Sequence, residues 1–186
     1  VVPVSFDPPA ATLAGLVREV LPRLEVVGLV IRGRGRHFSA GAQVEELRER
    51  AMGGPLDAVR QELSAHAGAL AALERLSYPV VAAIDGCCLG SGLEVALACR
   101  ARIATDSALL GLPEVTFGLM PGCGGTVRLP ERVGVGAAMD LALTGRFVDA
   151  GEALAMGLVD AVVPRDRLAM AADRMVRFLA GTREAR

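Results

Sequence analysis

The sequence predicts an α/β fold, on three observations. Short continuous apolar runs, typical of buried strands, alternate with segments whose apolar residues recur at helical spacing. Glycine-rich turns stand where strand-like segments give way to helix-like ones. No fixed-period repeat, low-complexity tract or convincing linker interrupts the chain, so one domain over residues 1–186 is the expected organisation.

Taken in order, Val1 to Phe6 reads as a short strand, broken by Asp7-Pro8-Pro9. Leu13, Leu16, Val17, Val20 and Leu21 follow at helical spacing, with Thr12 as the expected N-cap. Val26 to Ile31 is a buried-strand run, and the glycines at 33, 35 and 41 make the next stretch a loop. A polar helix is expected over Val44 to Arg50, with a break at Gly53-Gly54-Pro55. Val59, Leu63, His66, Leu70 and Leu73 then trace one stripe of a long helix ending near Leu76. Pro79 to Ile84 is a second buried strand, Asp85 to Gly92 a glycine-rich turn, and Leu93 to Cys99 a helix. Ile103 to Thr105 and Leu109 to Leu110 read as short strands. After the turn at Gly122 to Gly125 come two helical stretches, a last strand at Val159 to Val163 and a closing helix over Leu168 to Leu179.

Composition narrows the function classes. A chain of 186 residues, 52% hydrophobic but only 3% aromatic, builds its interior from Leu, Val and Ala. A formal net charge of -1 gives no electrostatic footprint for nucleic acid. All 20 basic residues are arginine, so Schiff-base and lysine-base chemistry are excluded. The four cysteines, Cys87, Cys88, Cys99 and Cys123, form no C-x-x-C pair. They read as reduced thiols in a cytoplasmic protein, with no metal site expected. The most apolar stretch, Pro79 to Cys99, is interrupted by Asp85 and Glu94 and does not suit a membrane span; no signal peptide is evident.

Three segments carry chemistry. Ser39 to Gln43 leaves a buried strand and enters a helix, and its small residues let a ligand approach backbone N-H groups. Asp85 to Glu94 again runs from strand to helix N-terminus, where N-H groups and the helix dipole favour negative charge. Leu112-Pro113-Glu114 is the third, followed by Pro121-Gly122-Cys123-Gly124-Gly125-Thr126. Singly, each glycine turn is an ordinary tight connection and each glutamate an ordinary surface carboxylate. Together, in this order and spacing, they form a specific pattern.

That pattern resembles the crotonase (enoyl-CoA hydratase/isomerase) superfamily, from about Phe6 to about Arg177. Ser39-Ala40-Gly41-Ala42 is similar to its first oxyanion-hole motif, and Gly90-Ser91-Gly92-Leu93-Glu94 to its second, with a catalytic glutamate. Leu112-Pro113-Glu114 is similar to the third, with a second glutamate 20 residues on. The stretch from Ala150-Gly151-Glu152-Ala153 to Gly157-Leu158-Val159-Asp160 resembles a further family segment. The resemblance implies a spiral of ββα turns and an acyl-CoA thioester substrate, with coenzyme A part of the substrate and no further cofactor or metal. The N-H groups of Ala42 and Ser91 would hold the thioester oxygen as it becomes an enolate. Ser39, Ala40, Gly41, Ala42 and Gly90 would line the substrate and CoA site. Glu94 would mainly activate water and Glu114 mainly donate the proton. Hydration of a 2-enoyl-CoA, or its reverse, is the reading implied first. Double-bond isomerisation and a non-catalytic assembly subunit are the alternatives, and an acyl-carrier protein is the other thioester carrier. A homotrimer or hexamer is implied, with no nucleic-acid or membrane partner.

Departures from the pattern are also legible. Gln43 stands where an aspartate usually closes the first motif, Ser91 replaces a glycine, and Arg100 replaces a common aspartate. Relatives usually have a further N-terminal strand and C-terminal helical segment, and part of both is expected to be lacking here. Ser91 does not suit a nucleophile elbow, because Leu89 occupies the first glycine position of that motif. His66 reads as a partly buried structural histidine and His37 as a solvated loop residue. Arg32, Arg34 and Arg36 read equally as a solvated face or as a grip on CoA phosphates.

Overall fold

The computed structural model describes Val17, residues 26–41 and residues 55–184. In chain order its regular elements are β1 (Leu29–Arg32), α1 (Leu56–Glu74), β2 (Val80–Ile84), β3 (Cys87–Leu89), α2 (Ser91–Ala98), β4 (Ala101–Thr105) and β5 (Leu109–Gly111). A 3-10 turn (Pro113–Phe117) follows, then α3 (Gly125–Thr144), β6 (Phe147–Asp149), α4 (Ala150–Ala155), β7 (Ala161–Val163), a 3-10 turn (Arg165–Arg167) and α5 (Leu168–Glu184). The expected strand at Val1 to Phe6, most of the helix over Leu13 to Leu21, and the helix over Val44 to Arg50 lie outside the described residues.

Two sheets organise the chain. The larger is all parallel in the order β1-β2-β4-β7, and the smaller runs β3-β5-β6. The repeating unit is visible in the connections: β2-β3-α2 is followed by β4-β5-α3, the first strand of each pair entering the larger sheet and the second the smaller. This is the ββα spiral that the resemblance implies. Each strand pair delivers the chain to the start of a helix.

Burial explains the continuous apolar runs. Every residue of β2 and β4 is buried, because both faces of the larger sheet are covered. On one face Val81, Ala83, Ala101 and Ile103 meet Ala172 and Val176 of α5. On the other, Ala82 and Ile84 join Leu70, Leu73, Leu93 and Leu97 in the main core. Each such fully buried aliphatic side chain contributes roughly 1.5–3 kcal/mol.

Two strands depart from the sequence reading. Cys87–Leu89, expected to lie within a turn, is a strand paired in parallel with Leu109–Gly111. Glycines at 86 (φ +57) and 90 (φ +53) bracket it and disguise it as a turn. Phe147–Asp149 pairs antiparallel with β5 and carries no apolar run of its own. The two helical stretches expected after Gly125 are present as α3, broken at Gly134, whose backbone is non-helical (φ 78, ψ 161).

Among the described residues, one charged side chain has no exposed surface at all. Arg102 of β4 is 0% exposed. Its guanidinium donates to the carbonyls of Leu158 (2.8 Å), Cys99 (2.8 Å) and Ala96 (3.2 Å), and to Asp160 Oδ2 at 3.1 Å. It ties the end of α2 to the turn before β7. Burial pushes its pKa down and Asp160 pulls it back up.

Candidate active site

Strand β3 brings the first two motifs together. Ser39 forms an isolated parallel bridge with Cys88, donating its N-H to the Cys87 carbonyl (3.0 Å) and accepting from Leu89 N-H (2.9 Å). Beyond it, Gly41 adopts φ +92, and a side chain there would meet the Leu89 carbonyl at 3.0 Å. Ser39 Oγ accepts from the Gly41 N-H at 3.2 Å. Thus Ser39 pairs with β3, and Gly41 lies against the turn at Gly90 that leads into α2. Ala42 and Gln43 lie outside the described residues.

Gly92 is the packing hinge of this junction. A Cβ on it would fall 2.5 Å from Ser39 Cβ. Gly92→Ala is therefore expected to push Ser39 out of its bridge with Cys88 and to destabilise the protein by about 1–3 kcal/mol, the usual range for overpacking. Urea denaturation checks it; unchanged stability would mean that Ser39 is not held where its bridge puts it.

Helix α2 starts at Ser91, with Gly90 as its N-cap residue. At this first helical position the N-H has no acceptor within the helix and projects from the N-terminus. One turn on, Glu94 is 2% exposed. Its Oε1 accepts the backbone N-H groups of Cys123 and Gly125, each at 2.8 Å. Burial pushes its pKa up, while these two amides, the Cys123 thiol and the more distant Arg128 charge work against that rise.

Glu114 sits in the 3-10 turn that leaves β5. A Cβ on Gly90 would lie 3.1 Å from its Oε1, so the carboxylate reaches the backbone at the start of α2. Its Oε2 is buried with no hydrogen-bond partner among the described residues. Burial raises its pKa most, a hydrogen bond from its own backbone N-H works against that, and the Glu94 charge raises it further. Two carboxyls in different surroundings thus lie within electrostatic reach of each other near the start of α2. One is ringed by donors; the other has a bare oxygen.

Such a site suits enolate chemistry, in which a developing oxyanion meets backbone donors while carboxyls move protons. Known proteins point the same way. The enoyl-CoA hydratase/isomerase family model matches residues 23–185. The chain belongs to the enoyl-CoA hydratase/isomerase family. It is 49% identical over 160 residues to a fatty acid oxidation complex subunit alpha from Shewanella loihica, covering 85% of this chain but 22% of that protein. A crystal structure of enoyl-CoA hydratase from Bacillus anthracis superposes with a TM-score of 0.81 at 39% identity, covering 92% of this chain and 65% of that one. A Thermobifida fusca YX protein solved in complex with CoA gives 0.82 at 32% identity, over 92% of this chain and 68% of that one. The sequence thus spans about a fifth of the Shewanella protein and about two thirds of these solved family members.

Several residues around the site escape sequence reasoning. The donors to Glu94 are backbone amides from 29 and 31 residues further along, which no side-chain pattern encodes. A glycine-rich turn preceding α3 was their only trace. His37, an exposed loop residue as expected, accepts the Cys87 N-H on Nδ1 at 3.1 Å and so props the start of β3. His66 is half-buried, and burial lowers its pKa against the opposing charge of Glu62. Arg32, Arg34 and Arg36 are exposed. All four cysteines are free thiols, Cys87 half-buried and the others buried. Among the described residues no cluster of His, Cys, Asp and Glu could hold a metal ion. No described helix is long and apolar enough to cross a membrane.

Proposed function

We propose that the protein hydrates a 2-enoyl-CoA, or dehydrates the 3-hydroxyacyl-CoA, through a thioester enolate. The observation that carries this reading is the pair of neighbouring carboxyls with unlike surroundings. Glu94, held by two amides, is the base: it takes a proton from water as the water oxygen bonds to the β-carbon. The alkene electron pair moves onto the thioester oxygen, which receives the N-H groups of Ala42 and Ser91. Losing one such donor typically costs about 3–4 kcal/mol in barrier. As the enolate collapses, Glu114 delivers its proton to the α-carbon. A buried, unpartnered oxygen and a neighbouring negative charge both favour the protonated form that this role needs.

Ser39, Ala40, Gly41 and Gly90 line the approach of the substrate in this reading. Coenzyme A is the carrier favoured over an acyl-carrier protein, on the strength of the relative solved with CoA. The bare Glu114 Oε2 also suits a proton shuttle, which keeps double-bond isomerisation as the second reading. Loss of enoyl-thioester absorbance with crotonyl-CoA tests the first. Consumption supports hydration. An inert crotonyl-CoA with conversion of a 3-enoyl-CoA moves the assignment to isomerase.

Glu114 also carries a stability prediction. Its folded pKa lies above its unfolded value, so the native state holds the proton more tightly. Enclosing this carboxyl therefore costs stability wherever the unfolded chain ionises it, and that cost disappears as pH falls from the folded pKa through the unfolded one. Glu114→Gln is expected to melt higher than wild type at pH 7, with the gap closing in acid. A variant that melts lower at pH 7 would mean the carboxylate is stabilised by its surroundings.

A further inference from the structure

The loop that holds Glu94 is itself held. Arg128, in the first turns of α3, donates from Nη1 to the Cys123 carbonyl at 3.0 Å. The same guanidinium makes a two-pronged ion pair with Glu74, the last residue of α1, through Nε to Oε1 (2.7 Å) and Nη2 to Oε2 (2.8 Å). The Arg128 side chain is 12% exposed and Glu74 41%. Between the loop and the guanidinium lies Gly124, at φ +103, and a Cβ there would overlap Arg128 Nη1. The glycine thus has two reasons to be a glycine: its backbone angle and the passage of the guanidinium across it. One planar fork spans three parts of the fold: the end of α1, the Cys123–Gly125 loop and the start of α3.

That fork fixes the peptide that follows Cys123, the residue whose own N-H points at Glu94. We propose that Arg128 and Glu74 are positioning residues, which together lock the Cys123–Gly125 loop so that its two amides hold Glu94 ready for proton transfer. The inference rests on the base role given to Glu94 above. Arg128 touches neither substrate nor reacting atoms; it acts through the loop. Glu74 acts one step further away, by keeping the guanidinium from swinging to solvent. Arginine suits the place better than lysine, whose ammonium is a single point of charge and cannot present the fork to both partners. Its positive charge also lies close enough to favour the ionised form of Glu94.

The test reads Glu94 directly. Carboxyl carbons of glutamate are labelled with carbon-13 and titrated by NMR in the whole chain, with Glu94→Gln identifying the resonance. Arg128→Gln is expected to move the Glu94 titration to higher pH, because it removes a nearby cation and loosens two donors. Glu74→Gln, which keeps shape and folding, is expected to move it the same way by less. The double variant is expected to add little to Arg128→Gln, since the pair works as one unit. With crotonyl-CoA, kcat is expected to fall about tenfold in Arg128→Gln with KM little changed, the scale of a misplaced group. Arg128→Lys should recover part of both effects.

A melting temperature that drops while the Glu94 titration stays where it is would overturn the proposal and leave the ion pair as a plain brace between helices. Independent, additive effects of Glu74 and Arg128 would overturn the linked form of it. If the wild type is inert toward crotonyl-CoA, the hydratase reading fails, and the titration still decides whether the fork holds Glu94. Should Arg128→Gln not fold, Glu74→Gln and Arg128→Lys carry the same two outcomes.

Discussion

Glu94→Gln is expected to lose about 10² to 10⁴ in kcat with crotonyl-CoA, the usual worth of a positioned acid-base group. The substitution is nearly isosteric. A glutamine oxygen still accepts from the Cys123 and Gly125 amides, so the loop before α3 has a partner and the fold persists. Only the ability to take a proton is removed. Glu114→Gln is expected to fall in the same range, because each proton has one carboxyl assigned to it. The two effects should not multiply, since both residues serve one transition state. Steady-state kinetics beside circular dichroism check this. A folded Glu94→Gln protein with wild-type turnover would remove the catalytic assignment altogether.

Arg102→Met is expected to destabilise the protein by about 3–5 kcal/mol, the range for breaking a buried ion pair from one side. The methionine fills much of the volume but offers no donor. It leaves the carbonyls of Leu158, Ala96 and Cys99 without their partner and Asp160 without its cation. Asp160→Asn should cost less, because the Asp160 side chain is 37% exposed and water can replace part of what it loses. Urea unfolding measures both. Equal costs for the two variants would show that the ion pair, rather than the carbonyl bonds, carries the stabilisation.

Much of this was legible in the sequence because it resides in local pattern. The run Pro79–Ile84 is apolar enough to announce a buried strand, and Ile103–Thr105 announces a short one that the fold extends back to Ala101. Glu94 and Glu114 stand out through the motifs around them. Hidden features were those created by pairing. Cys87–Leu89 becomes a strand only because Leu109–Gly111 lies beside it. Arg102 carries no signal of burial in the sequence; it is enclosed by the carbonyls of α2 and of the turn before β7. The fork from Arg128 to Glu74 joins residues 54 apart, with no periodicity to link them. The donor role that the resemblance implies for Ala42 falls outside the described residues.

The thiol of Cys123 places a restraint on the same chemistry. A thioester is an acyl donor to any thiolate within reach. Cys123 lies against Glu94, where burial and the neighbouring carboxylates push its pKa up to about 12. At neutral pH it is a thiol and a poor nucleophile. If the carboxyls transfer protons as proposed, the same dry, anionic surroundings would keep an acyl group from being captured on this sulfur. Cys99, also pushed up to about 12, and the fully buried Cys88 are equally inert. With no lysine anywhere in the chain, no ε-amine is available to be acylated either. In the proposed reading, three of the four thiols are kept from competing for the acyl group.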